Sequence, residues 1–484
     1  MDQCKRMKII NLFIGGLIAA ANCCAAAQPK PSVLFIIVDD LTATISAYGW
    51  PGANTPNLDR LAARGVRFDR AYGQFSLCNP ARASFLTGCY PERTKVFDLT
   101  SSFRETLPDV VTLPQHFKNA GYKTASIGKV FHVGDPKTTF DIVGRTPLVL
   151  DQKILADVKK NDASDQPRGT GKGLDYNRCY GAANRPDADF TDHQLASRAI
   201  ETLAQFKDEP FFLALGFIRP HTPYVAPQWA FAAVDRLKIR LPPFYRDDGE
   251  DVSKLPPASL RPNNNVFRHE PPTREQALDA QHAYLAAVHF VDHQIGRVLA
   301  ELDRLKLAGN TFIALTGDNG YQLGEHGLWA KQTLFEGGTR VPLIFAGPGI
   351  APGVSKALVE QVDIYPTICE LAAKPVPLSV QGTSLVPWIK EPAKKSRIAV
   401  FSTMIAAHTQ HLGHSARNGR FRYIEWDGGK SGVHLYDLVN DPHELQNLAG
   451  QPEHLAMQRR LQGLLREHLA RAAGKSAPLA RETQ

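Results

Sequence analysis

Four short strand-like runs in this 484-residue chain stop at or just before residues that carry chemistry, and no other feature constrains the fold as much. Residues 31–38 are rich in β-branched side chains and end at Asp39-Asp40. Residues 124–128 end at Lys129, residues 210–217 precede His221, and residues 310–315 run towards Asp318. Runs of this length and composition predict buried strands. Helical patterns accompany them. Thr55-Pro56-Asn57 opens a helix with Leu58, Leu61 and Ala62 among its apolar positions. Residues 273–305 carry Leu278, Ala283, Leu285, Val288 and Val291 near helical spacing. Strands alternating with helices predict a mostly parallel sheet. Ligands of such sheets bind at the carboxyl ends of the strands. Asp39, Asp40, Lys129, His221 and Asp318 are therefore expected together at one edge.

The remaining segments organise around this frame. Residues 138–185 and 241–272 are rich in proline and charge and too long for simple connections, which makes them candidate pocket walls. A composition shift at 391–396 predicts a boundary. Beyond it, 398–402, 421–426 and 433–438 read as short strands and the basic stretch 454–473 as a terminal helix. There is no internal repeat.

The N-terminus predicts export to the periplasm or the extracellular space. Lys5, Arg6 and Lys8 form a basic region, residues 9–21 are apolar, and Ala25-Ala26-Ala27 offers a cleavage site before Gln28. Loss of residues 1–27 lowers the formal charge from +8 to +6. A mildly basic exported protein suits an anionic substrate, and nothing resembles a nucleic-acid-binding patch. After residue 27 no stretch approaches a membrane span, so no stable membrane insertion is expected. Cys78, Cys89, Cys179 and Cys369 are too few for a disulfide scaffold. The chain has no N-x-Ser/Thr glycosylation site, which favours a bacterial type of exported enzyme.

Several side chains are candidates for chemistry. Asp39, Asp40, Asp318 and Asn319 supply hard oxygen donors of the kind that suit Ca²⁺ or Mg²⁺ rather than Zn²⁺. Arg82 follows Cys78 by four residues, one helical turn if a helix begins there. Such a helix N-terminus would add backbone donors for an anion. Gly128-Lys129-Val130-Phe131-His132 sets a cation beside an imidazole, and Pro220-His221-Thr222-Pro223 and Lys331 add further proton-handling groups. His326, Trp329, Arg417 and Trp426 are candidate sugar contacts.

The stretch Cys78-Asn79-Pro80-Ala81-Arg82-Ala83-Ser84-Phe85-Leu86-Thr87-Gly88 resembles the signature of type I sulfatases, with its Cys-x-Pro-x-Arg core. In that family the cysteine is oxidised to formylglycine, whose hydrate acts as the nucleophile. The resemblance extends over about residues 31–450. Phe97-Asp98-Leu99, Leu113-Pro114-Gln115-His116-Phe117, Leu323-Gly324-Glu325-His326-Gly327 and Trp329-Ala330-Lys331 look like the iduronate-2-sulfatase subgroup. Ala81 stands where many relatives have Ser, and Asn319 where that subgroup has His.

The resemblance implies an alkaline-phosphatase-like sandwich. Its large, mostly parallel central sheet would be flanked by helices, beside a smaller C-terminal subdomain with an antiparallel sheet and a terminal helix. It implies a signal peptide at 1–27, a catalytic domain at 28–395 and a C-terminal subdomain at 396–484. It implies one Ca²⁺ on Asp39, Asp40, Asp318, Asn319 and the modified Cys78. Arg82 would fix the nucleophile, Lys129 and Lys331 would bind sulfate oxygens, His132 would take a proton as sulfate leaves, and His221 would serve as general acid or sulfate ligand. The expected substrate is a sulfated carbohydrate, with 2-O-sulfated uronic acid foremost, and the expected partner is a formylglycine-generating or equivalent maturation enzyme. The alternatives are a sulfatase for another sulfated sugar or small ester, a phosphoesterase of the same superfamily, and a catalytically silent glycan-binding protein that keeps Cys78 as a thiol.

Overall fold

The computed structural model describes residues 30–134, 139–144, 154, 157, 158, 180–243, 245, 255–259, 266, 267, 272–406 and 408–474. The expected export signal, Cys179 and most of the two expected pocket-wall segments lie outside them. In chain order the strands are β1 (Ser32–Val38), β2 (Gly65–Tyr72), β3 (Lys123–Gly128), β4 (Ile142–Gly144), β5 (Tyr180–Ala183), β6 (Phe211–Phe217), β7 (Tyr224–Pro227) and β8 (Thr311–Gly317). They continue as β9 (Arg340–Val341), β10 (Leu343–Ala346), β11 (Gly353–Glu360), β12 (Ala399–Ile405), β13 (Leu412–Asn418), β14 (Phe421–Trp426) and β15 (Val433–Asp437). The helices that matter below are α1 (Pro56–Ala63), α2 (Cys78–Thr87), α3 (Thr191–Phe206), α4 (Arg274–Arg304), α5 (Ile364–Leu371) and α6 (Leu455–Ala472).

The main sheet has nine strands in the order β11-β2-β10-β8-β1-β6-β3-β4, with β9 paired to β2. β1 lies inside it, parallel to β6 on one side and β8 on the other. The sheet is mostly parallel, but β10 runs antiparallel to both β8 and β2. Strand alternation sorts the β1 side chains into two layers. Leu34, Ile36 and Val38 pack with α3 and α4 residues such as Leu195, Ala283 and Val291. Val33, Phe35 and Ile37 pack with Phe85 and Leu86 of α2 and Ile364 and Ile368 of α5.

α4 carries its own start signal: Thr273 and Gln276 form a reciprocal capping box. The N-terminus of α1 is capped instead by Asp292 of α4, whose carboxylate accepts the N–H of Leu58 at 2.7 Å. β12–β15 form a separate antiparallel sheet in sequence order, packed against α6. This sheet joins the first through Ser402 Oγ, which donates to Gly73 O at 2.6 Å, and Thr403 N, which donates to Gln74 O at 2.8 Å. Among the described residues no helix is long and apolar enough to cross a membrane.

The strands at 31–38, 124–128, 210–217 and 310–315 and the helix at 273–305 are found within a few residues of their expected bounds. The sequence pattern does not announce β2, β10, β11 and β13, nor the short β4, β5, β7 and β9. β2 and β13 carry charged residues (Arg67, Asp69 and Arg70; Arg417), which masks their apolar pattern.

Three histidines of the C-terminal region, His414, His434 and His468, are buried. Burial pushes them down to about 4, about 3 and about 3, so each is neutral when folded. The unfolded chain protonates them near 6.5. Their stabilisation is therefore complete above that pH and is lost as pH falls towards the folded values, by about 1.4 kcal/mol per pH unit for each. His468 stacks on Phe401 with centroids 3.9 Å apart. His468→Phe should flatten the fall in melting temperature between about pH 6.5 and pH 4.5; an unchanged slope would contradict this.

Candidate active site

The carboxyl ends of β1 and β8 lie side by side because Val38 pairs with Gly317. That register brings Asp39-Asp40 against Asp318-Asn319. Asp40 N donates to Asp318 Oδ1 at 2.9 Å, and Asn319 Nδ2 donates to Asp40 Oδ1 at 2.8 Å. Asp40 has φ 59°, a left-handed conformation that is costly for a side chain other than glycine. It is held there by the Asp318 contact and by Tyr284 of α4, whose hydroxyl donates to Asp40 O at 2.7 Å. Gly317 is required beside this turn: a Cβ there would fall 1.9 Å from Leu41 O.

Cys78 is the first residue of α2, and every residue of this helix is buried. The helix start points the thiol at the acids. Asp39, Asp40, Asp318 and Cys78 place one ligand atom each within 4.8 Å of one another. One turn on, Arg82 Nε donates to Asp318 Oδ2 at 2.8 Å and its Nη2 lies 3.4 Å from Asp39 Oδ1. Arg82 also donates to the carbonyls of Lys129 and Val130, which fixes the segment after β3. Lys129 pairs with Asp39 Oδ2. Lys331 comes from the loop after β8; its Nζ lies 2.7 Å from Asp40 Oδ1 and 2.8 Å from Cys78 Sγ. Ser76 secures that loop by accepting from Gln332 N and donating to Gly338 O.

The electrostatics follow from burial and neighbours. Burial alone would raise Asp39, but Lys129, His221, Arg82 and Lys331 outweigh it and hold the carboxyl well below its ordinary value. Burial and the Asp39 charge push Asp318 up to about 6. Burial and Asp39 also push the Cys78 thiol far above its ordinary value. Near neutral pH it stays protonated, and a protonated thiol is a poor nucleophile. Burial followed by Lys129 lowers His132 to about 4, and burial followed by Lys331 lowers His221 to about 4. Both imidazoles are neutral at pH 7. His221 Nδ1 must donate to Thr222 O at 2.8 Å, because a carbonyl only accepts. Its Nε2 then offers a lone pair, 3.8 Å from Asp40 Oδ2.

Two buried oxygens, Asp40 Oδ2 and Asn319 Oδ1, have no hydrogen-bond partner in this site. An unsatisfied buried acceptor costs about 1–3 kcal/mol. Together with Asp39 and Asp318 they form a set of hard oxygen donors that fits a Ca²⁺ or Mg²⁺ ion.

The structure thus gathers Asp39, Asp40, Cys78, Arg82, Lys129, Asp318, Asn319 and Lys331 directly, with His221 at the edge of the acids. His132 is half-buried, its Nδ1 lacks a hydrogen-bond partner, and it lies close enough to Lys129 and Arg82 to feel their charge. Trp329 and Trp426 are not sugar contacts, because both are fully buried in apolar clusters. His326 is also buried and stacks on Phe335, with centroids 4.1 Å apart. Sequence reading missed Tyr284 and Ser76. Tyr284 sits on the buried stripe of α4, where a tyrosine hydroxyl must find a partner, and that was its available signal.

Comparison with known proteins agrees with this geometry. The Sulfatase family profile matches residues 31–374, and the profile for the C-terminal part of N-sulphoglucosamine sulphohydrolase matches 324–471. A sulfatase of Formosa agariphila is 35% identical over 440 residues, covering 87% of this chain and 83% of that protein. Mouse iduronate 2-sulfatase is 32% identical over 417 residues, covering 77% and 74%. Among solved structures, a phosphonate monoester hydrolase of Silicibacter pomeroyi superposes with a TM-score of 0.76 at 26% identity, covering 92% and 96%. A buried cluster of acids and cations at the carboxyl edge of this sheet, around the cysteine of a Cys-x-Pro-x-Arg helix start, accompanies a family match over most of the chain: the protein belongs to the sulfatase family and is a sulfuric ester hydrolase.

Proposed function

We propose that the chain is an exported, calcium-dependent sulfatase that removes the 2-O-sulfate of a uronic acid in a glycosaminoglycan or algal polysaccharide. The observation that carries the reaction type is the convergence of four oxygen-donor residues and two lysines on Cys78. The likeness to mouse iduronate 2-sulfatase supports the choice of substrate. We further read residues 1–27 as the export signal, 28–395 as the catalytic domain and 396–484 as a C-terminal subdomain; the start of the second sheet at Ala399 supports that division.

The elevated thiol supports a modified nucleophile, since Cys78 as a thiol is protonated and would stop at a stable adduct. Conversion to formylglycine by a maturation enzyme supplies an aldehyde hydrate: one hydroxyl attacks sulfur, and the other re-forms the carbonyl to expel sulfate. Asp39, Asp40, Asp318 and Asn319 would hold Ca²⁺, which would polarise the sulfate. Arg82 fixes the start of α2 against Asp318 and so orients residue 78. Lys129 and Lys331, both held protonated against burial by Asp39 and Asp40, place positive charge where sulfate oxygens would lie. Lys331 or His221 serves the departing sugar oxygen. His132, neutral at pH 7, can accept the proton released as sulfate leaves.

A second reading is phosphonate or phosphate ester hydrolysis, favoured by the structural likeness to the phosphonate monoester hydrolase. Parallel assays separate the two. A 2-O-sulfated uronate disaccharide should be hydrolysed far faster than a phosphonate monoester or a 6-O-sulfated glucosamine. The reverse order would reject the substrate assigned here.

Two further outcomes are expected. Lys331→Met should lower kcat/KM by about 10²- to 10³-fold while the protein stays folded by circular dichroism. A loss below tenfold would show that Lys331 does not serve the reacting sulfate. Chelation should abolish turnover, and added Ca²⁺ should restore it; full activity after exhaustive chelation would exclude the ion.

A further inference from the structure

A second polar cleft lies where β2 and β11 of the main sheet meet β13 of the C-terminal sheet. It measures about 370 Å³ and is lined by Asp69, Arg70, Glu336, Arg340, Lys356 and Arg417. Four cations face two carboxylates there, and both carboxylates also serve partners outside the cleft. Asp69 accepts from Arg67 Nε at 2.9 Å. Glu336 is paired with the buried Arg422 and accepts from the Tyr72 hydroxyl at 2.9 Å.

The cations are compensated only in part: against the effect of burial, Arg417 and Arg340 are near enough to Glu336 to help hold its carboxyl down at about 2, and four positive groups still face two carboxylates. Arg70 spends its hydrogen bonds on the Lys356 carbonyl, which carries no charge. Arg340 Nε likewise donates to a carbonyl, Asp69 O, at 2.9 Å. Arg417 reaches Glu336 only at 3.9 Å and stands 5.4 Å from the centre of the Tyr72 ring. Lys356 is exposed, and its ammonium has no ion pair among the described residues. Such a concave, net-positive surface attracts oxyanions and raises their local concentration. Leu438 adds an apolar wall of the sort that a sugar ring can lie against.

The cleft is tied to the reaction site by the chain itself. Lys331 touches Cys78 Sγ, and five residues on Glu336 lines the cleft, with Arg340 closing the same segment. The cleft and the reaction site thus share the segment 331–340. We propose that the cleft binds a second anionic group, sulfate or carboxylate, of a sulfated polysaccharide chain. Nucleic acid is the less favoured polyanion, because the nearest ring, Tyr72, is buried beneath Arg417 and Arg422 and offers no face for base stacking. The proposal rests on the sulfatase reading only for the choice of polymer.

The test uses full-length matured protein and short-chain dextran sulfate as the probe. Lys356→Glu, at an exposed position, and Arg70→Ser are each compared with wild type by calorimetric titration. Hydrolysis of a small sulfated monosaccharide is measured in parallel. Both variants should weaken dextran sulfate binding, Lys356→Glu by about tenfold, and lessen its dependence on salt. Turnover of the monosaccharide should not change. Unaltered binding in both variants, or no binding by wild type, would overturn the proposal. So would an equal loss on polymer and monosaccharide, or equally tight binding of a single-stranded oligonucleotide. Binding that depends on Lys356 in a protein that hydrolyses no sulfate ester would uphold the cleft and reject the function proposed above.

Discussion

Everything at the carboxyl edge of the main sheet depends on the mutual neutralisation of buried charge. Asp39, Asp40 and Asp318 are almost fully withdrawn from solvent, and so are Arg82, Lys129 and Lys331. Removing an ion from water costs several kcal/mol even after relaxation. Three carboxylates can stay buried here only because three cations lie within about ion-pair distance. The arrangement is costly as a source of stability and makes sense as preorganised electrostatics. Cations stand ready for an anionic ester, and carboxylate and amide oxygens stand ready for a metal ion.

The fold makes this possible by register. β1 lies between β6 and β8, so the residues just past its end meet those past the ends of both neighbours. Lys129 follows β3, one strand further out, and its N–H donates to Gly216 O at 3.0 Å. Gly216 allows this close approach, since a Cβ there would fall 1.9 Å from Lys129 O. The helix that begins at Cys78 closes the site from one face, and Tyr284 of α4 supports it from the other. The second sheet abuts the loop that carries Lys331, where Arg422 pairs with Glu336 and donates to Leu334 O at 3.0 Å. C-terminal residues thereby help to position a group of the reaction site.

Much of this was legible in the sequence because strand ends and charged residues coincide. The runs ending near Asp39, His221 and Asp318 were strongly apolar, and such runs become buried parallel strands. The pattern could not reveal β2, whose Asp69 and Arg70 line a polar cleft while Val66 and Phe68 enter the core. Trp329 and Trp426 misled as sugar contacts because an aromatic near catalytic residues serves packing as readily as binding. Nor could spacing supply Tyr284 and Ser76, since both act through contacts with residues more than two hundred positions away. Asp39-Asp40 and Asp318-Asn319 were recognisable as candidate cation ligands by type, whereas their shared geometry came from the pairing of Val38 with Gly317.

Residue 78 lies at the centre of the site. A buried thiol kept protonated by its neighbours has no evident part in hydrolysis, whereas an aldehyde at the same place would use every group around it. The direct test is the mass of the peptide that contains Cys78, taken from protein matured in a host that exports it. A formylglycine nucleophile requires a peptide about 18 Da lighter than the cysteine form, as expected when the thiol is replaced by an aldehyde. An unmodified thiol in active, correctly exported protein would contradict it.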